Sequence, residues 1–138
     1  MPTQSHKGYD FDNGTYPIIG ACLKGHKELG PGSREVIYQR ALALELQASS
    51  LDFTREERRS VHYRGQVIGK HRVDFIIGSV MIEIKASSIL DRKDFVQAVS
   101  YLKASGHRSG LLVNFGQEKL DVHRLVWDAQ TQQIAYEG

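Results

Sequence analysis

Residues 72–85 read RVDFIIGSVMIEIK, two apolar runs joined at Gly78-Ser79 with Arg72, Asp74, Glu83 and Lys85 set into them. Glycine followed by serine between apolar runs suits a two-residue hairpin turn with a positive φ at its first central position. With that turn, Ile77 faces Val80, Ile76 faces Met81, Asp74 faces Glu83 and Arg72 faces Lys85. Side chains alternate along a strand, so Val73, Phe75, Ile77, Val80, Ile82 and Ile84 share the other face, which is wholly apolar. A slip of one residue would mix charges into that face, so the register is strongly specified.

Carboxylates directly opposite one another have β-carbons about 4.5–5.5 Å apart, a like-charge pairing that destabilises the hairpin unless something positive compensates. Two compensations fit the pattern. One is a diagonal ion-pair network, Asp74 with Arg72 or Lys85 and Glu83 with Lys85. The other is a hard divalent cation, magnesium, manganese or calcium, whose preferred ligands are carboxylate and carbonyl oxygens. Asp74, Glu83 and a main-chain carbonyl at Ile84 would then be the metal ligands. Lys85, one alternation beyond Glu83, would hold a water or a phosphate oxygen from the same face. A cation, an activated water and a neighbouring ammonium are the parts that metal-assisted phosphodiester hydrolysis needs.

The elements that must carry these residues follow from periodicity. Thr15-Tyr16-Pro17 resembles a capped helix start, with Ile18, Ile19, Cys22 and Leu23 at helical spacing and a stop at Gly30-Pro31-Gly32. Ser33 is expected to cap a second helix through Ser49, with Ile37, Ala41, Leu44 and Ala48 on its buried stripe. FTREERRSVHYRG predicts an edge strand ending at a turn over Arg64-Gly65, and the hairpin follows it. Asp91 opens a third helix with Phe95, Val99 and Leu102 on its core face and Gly106 past its end. SGLLVNF reads as a strand buried on both faces, and DVHRLVW as an alternating strand near the sheet's end. The sum is an α/β (α+β) arrangement, a mixed sheet flanked by helices.

Composition bounds the rest. A chain of 138 residues with 41% apolar and 25% charged side chains suits one soluble domain, expected over 15–138, behind a flexible tail over 1–14, either poorly ordered or an arm whose order depends on a partner. The single cysteine, Cys22, excludes an internal disulfide and a thiolate metal cluster. The histidines lack zinc-ligand spacing, and His26 is read as packing or capping. No apolar run approaches a bilayer span or a secretory leader, so a cytoplasmic chain without membrane association is expected. A net charge of +2 permits a polyanionic partner without demanding one.

Asp74 followed by Glu83-Ile84-Lys85 resembles the D, spacer, E-x-K signature of the PD-(D/E)XK nuclease superfamily. More specific is Gly32-Ser33-Arg34-Glu35-Val36-Ile37-Tyr38, which is similar to the G-x-x-E-x-x-Y pattern of the GxxExxY proteins, a branch of that superfamily. The likeness extends from Tyr16 to Val126 in matching order. It implies a restriction-endonuclease-like fold and a magnesium- or manganese-dependent nuclease acting on nucleic acid, with DNA as the expected substrate. It places a supporting metal role on Glu35 and a water- or backbone-contacting role on Gln97, with Lys85 assisting the attacking water. Read without the likeness, Glu35 is a helix-surface acid favoured by the helix dipole, and Gln97 is a buried hydrogen-bonded glutamine. Tyr38 fits the core edge as well as the site. Ser33-Arg34 departs from the family's usual aliphatic and acidic pair and sets a positive charge beside Glu35. A non-cleaving nucleic-acid or protein binding module on the same fold is the alternative. Two-strand cleavage would call for a homodimer, for which the sequence shows no distinctive interface stripe.

Overall fold

A computed structural model describes residues 14–128 together with the backbone of residues 133–137. The tail expected over 1–14 lies, but for Gly14, outside the described residues. Helices α1 (Thr15–Leu29) and α2 (Glu35–Ala48) precede strands β1 (Thr54–Tyr63), β2 (Gln66–Ile77) and β3 (Val80–Lys85). Helix α3 (Arg92–Ser105) then leads to β4 (Ser109–Asn114), β5 (Asp121–Asp128) and β6 (Gln133–Glu137). The strands lie in sequence order in one six-stranded sheet. β3 and β4 are parallel, because α3 carries the chain back across the sheet between them, and the other neighbours are antiparallel.

Each sheet face has its own core. Ile18, Cys22, Tyr38, Leu42 and Leu46 of α1 and α2 pack on Phe75, Ile77, Val80, Ile82, Ile84, Leu111 and Val113. Ala98 and Leu102 of α3 pack on Val73, Ile76, Met81, Leu112 and Leu125. β4 is therefore covered on both sides, as its unbroken apolar run requires. Phe95 and Val99 lie at the edge of the α3 core as expected. α3 begins with a reciprocal capping box between Asp91 and Asp94 and ends at Gly106 in the left-handed conformation.

The hairpin turn forms at Gly78, with φ 60°, and pairs Ile77 with Val80, Ile76 with Met81 and Phe75 with Ile82. The ladder stops there, so the expected facing of Arg72 and Lys85 does not form. Val73 also departs from expectation, since it joins the α3 core rather than the face of Phe75 and Ile77. The alternation of β2 is broken at Asp74, and opposite it Glu56 of β1 adopts φ 54°, a left-handed conformation uncommon outside glycine. β1 and β2 keep one register past this point, while the β2–β3 ladder ends at Phe75 and Ile82. β1 is an edge strand, as expected, and its hairpin turns at Arg64-Gly65, both at positive φ.

Two expectations for α2 are corrected. Arg34, not Ser33, occupies the N-cap, with no side-chain cap. Ser33 is drawn away because its N–H donates to the Tyr38 hydroxyl at 3.1 Å, while that hydroxyl donates to the Gly30 carbonyl. Tyr38 is fully buried and stacks on Phe115 with centroids 4.7 Å apart, so it is a core residue that pins the α1–α2 turn. That anchor rotates the helix so that Tyr38, Leu42, Ala43 and Leu46 face inward, and Leu44 is 65% exposed. His26 is likewise structural, its Nε2 lying 2.8 Å from the Gln117 carbonyl.

Leu46→Ala is expected to cost about 2–5 kcal/mol of stability, as a truncation in a closed core does. Leu44→Ala is expected to change stability by about 0.5 kcal/mol or less. Urea unfolding of the two variants measures the difference, and equal losses would assign the buried stripe of α2 wrongly.

Candidate active site

Asp74 and Glu83 stand one step past the last β2–β3 backbone pair, where side chains take over from the ladder. The Ile84 N–H donates to Asp74 Oδ2 at 2.8 Å, and the Asp74 N–H donates to Glu83 Oε2 at 3.0 Å. Each carboxylate thus satisfies a main-chain donor on the opposing strand that the splayed backbones leave open. The other oxygens, Asp74 Oδ1 and Glu83 Oε1, receive no hydrogen bond from the described residues.

The electrostatics are adverse. Burial, and then the negative charge of Asp74, push the Glu83 carboxyl up to about 8. Burial also raises Asp74, against the opposing pull of the Ile84 amide and the Lys85 and Arg72 cations. Near neutral pH the pair retains a proton in the absence of a cation, because two charges in one desolvated corner repel. The diagonal ion-pair network weighed from the sequence does not form: among the described residues neither acid makes an ion pair. Lys85 Nζ donates to Gln97 Oε1 at 3.0 Å and lies 3.8 Å from Asp94 Oδ1, while Arg72 lies 3.9 Å from Glu56.

Lys85 and Gln97 therefore meet, brought together by the β3–α3 crossing. Gln97 is exposed, which overturns the reading of it as buried. Glu35 is the first residue of α2 and is close enough for the charges of Lys85, Asp74 and Asp94 to act on it; burial raises its carboxyl first, Lys85 opposes, and the two aspartates add to the rise. Arg34 makes no ion pair with it. Asp94 was not among the sequence candidates. Its spacing from Asp91 signals only the capping box, and its nearness to Lys85 depends on how α3 crosses the sheet.

The donor set suits a hard cation. Within a strand the N–H and C=O of one residue point to the same neighbour. The Ile84 carbonyl accordingly faces the β2 side, where its N–H meets Asp74, while the Lys85 carbonyl faces away and accepts from the Phe115 N–H at 2.8 Å. Two carboxylates and the β2-facing carbonyl of Ile84 are oxygen-only donors of the kind magnesium and manganese select. No group of three or more His, Cys, Asp or Glu side chains forms a ready-made metal cluster among the described residues. Any ion here would complete its shell with water or phosphate.

Behind the acids the loop after β3 is held rigidly. Asn114, fully buried, accepts from the Ser87 and Gly116 N–H groups and donates to the Ser87 carbonyl. A β-carbon on Gly116 would sit 2.2 Å from the Ser87 oxygen, so only glycine allows that approach.

A folded-state carboxyl raised above its unfolded value contributes stability at low pH that is lost as pH rises toward the raised value. In metal-free buffer, stability is expected to fall between about pH 4.5 and about pH 8 on account of Glu83, and Glu83→Gln should flatten that decline. Thermal unfolding across this range compares the two proteins; parallel pH profiles would contradict the shift.

Searches among curated proteins and among solved structures gave no match. No described helix is long and apolar enough to cross a membrane. A family model does match residues 12–125, a span that takes in both helices before the sheet, the hairpin acids, Lys85, α3 and most of β5. On that match, together with the α+β fold and its mixed sheet, the chain belongs to the PD-(D/E)XK nuclease superfamily.

Proposed function

We propose that this protein is a divalent-metal-dependent nuclease of the GxxExxY branch, hydrolysing phosphodiester bonds in DNA with magnesium or manganese. The observation that carries the reading is the pairing of Asp74 and Glu83 at the opening of the β2–β3 ladder, each with an oxygen that no described residue hydrogen-bonds and neither in an ion pair among the described residues. Superfamily membership supports it, since these nucleases generally use divalent metals.

Asp74, Glu83 and the Ile84 carbonyl would hold the ion. When bound, it polarises a phosphoryl oxygen and lowers the pKa of a coordinated water. Lys85 takes the part of orienting that water and meeting charge that develops on the phosphate, with Gln97 fixing the position of its ammonium. Glu35, at the amino end of α2, would support the ion as a further carboxylate. Glu83 would have to lose its proton to hold the ion, so affinity for the cation is expected to rise with pH toward about 8.

A non-cleaving binding module is the competing reading, favoured by the engagement of Lys85 with Gln97 and Asp94, which holds its ammonium against α3. Incubation with single- and double-stranded DNA and RNA, in magnesium or manganese and then in chelator, separates the two. Metal-dependent products are expected, and Asp74→Ala or Lys85→Ala should reduce the rate by about 10²–10³-fold or more. Magnesium should also raise the Tm of the wild type and not of Asp74→Ala, because a ligand of the native state alone stabilises it. Full activity in either variant would overturn the assignment.

A further inference from the structure

Beyond Asp74 the β1–β2 hairpin leaves the rest of the sheet. β2 pairs with β3 only through Phe75–Ile77, yet with β1 from Gln66 to Ile76. The freed ribbon crosses α3, where Val73 enters the α3 core and the His71 ring stacks on Tyr101 with centroids 4.3 Å apart. One side of the ribbon is thereby seated on the protein. The outer side, with Arg58, Lys70 and Arg72, is exposed, as are Tyr63, Val67 and Ile68 at the tip.

Charge is concentrated on this ribbon. From Thr54 to Val73 it carries six Arg or Lys against two Glu, a net +4, whereas the whole chain is +2. Arg58 sits directly across from Arg72, and Lys70 follows on the same face across from Ser60. Like charges directly opposite on a ribbon destabilise it. The only acid of the ribbon close to this row is Glu56, 3.9 Å from Arg72. Alternate positions on a strand lie about 7 Å apart. Lys70 and Arg72 therefore form an even row up to the break at Asp74, whose carboxyl senses the Arg72 charge.

We propose that this ribbon is an arm that grips a nucleic-acid duplex, with Arg58, Lys70 and Arg72 on successive phosphates leading to the acids at its base. The inference rests on the nuclease reading for the direction in which the phosphates are led, not for the binding itself. A two-stranded ribbon is narrow enough to follow the major groove, and a row of cations on its outer face is complementary to a polyanion.

The test uses the full chain and a labelled DNA duplex of about 30 base pairs in chelator, titrated from about 50 to 200 mM salt. Arg58→Gln/Lys70→Gln, which leaves the acids and their immediate neighbours intact, is expected to weaken binding irrespective of sequence and to reduce the salt slope by about 1.8. Its Tm should be unchanged or higher, since repulsion is removed. Unchanged affinity and slope overturn the arm, as does equal affinity for the single strand of the same sequence, or a wild type whose duplex binding does not depend on salt. Cleavage assays of the same variant keep the two readings apart. A variant that cuts in magnesium and binds as the wild type does refutes the arm alone; a wild type that binds with the expected slope and never cuts refutes the nuclease alone.

Discussion

Asp74 and Glu83 lie where β2 and β3 cease to pair through their backbones and begin to pair through their side chains. Much of the local structure answers to that junction. An unbroken ladder would keep β2 alternating and hold Val73 on the face of Phe75; the break lets Val73 turn to α3 and lets the outer hairpin depart. The cost is visible in Glu56 at positive φ and in two desolvated acids with raised pKa values. Backbone strain beside two mutually repelling, desolvated acids is the kind of arrangement that clusters at functional sites.

The surroundings keep that corner in place. β3 is clamped between β2 and the doubly buried β4, so the positions of Glu83, Ile84 and Lys85 are set by a strand with little freedom. α3 is defined at both ends by its capping box and Gly106, and it presents Asp94 and Gln97 to Lys85 from one turn of helix. Tyr38 fixes where α2 begins, and with it the position of Glu35, within reach of the charges of Lys85 and Asp74.

Much of this was legible in the sequence because it depends on local chemistry. The Gly78-Ser79 corner, the Asp91 cap, the Gly106 stop and the continuous apolar run of β4 each follow from residues within a few positions of one another. The opposition of Asp74 and Glu83 follows from counting outward from the turn. What counting could not foresee is that the β2–β3 ladder ends there, with Val73 packed into the α3 core. The buried stripe of α2 was misassigned for a similar reason: apolar residues occur on several of its faces, and the choice is made by Tyr38 bonding to the preceding turn. Asp94 carried a complete local explanation as a cap, which hid its second neighbour, Lys85.

The central claim is that the two acids are held together for a cation. The most direct measurement is a crystal soaked in manganese and examined for anomalous scattering. A peak within coordination distance of Asp74, Glu83 and the Ile84 carbonyl, about 2.0–2.6 Å from each as for hard divalent ions, is the expected result. A well-ordered site with no peak there, and with both carboxylates still accepting only main-chain N–H groups, would contradict it.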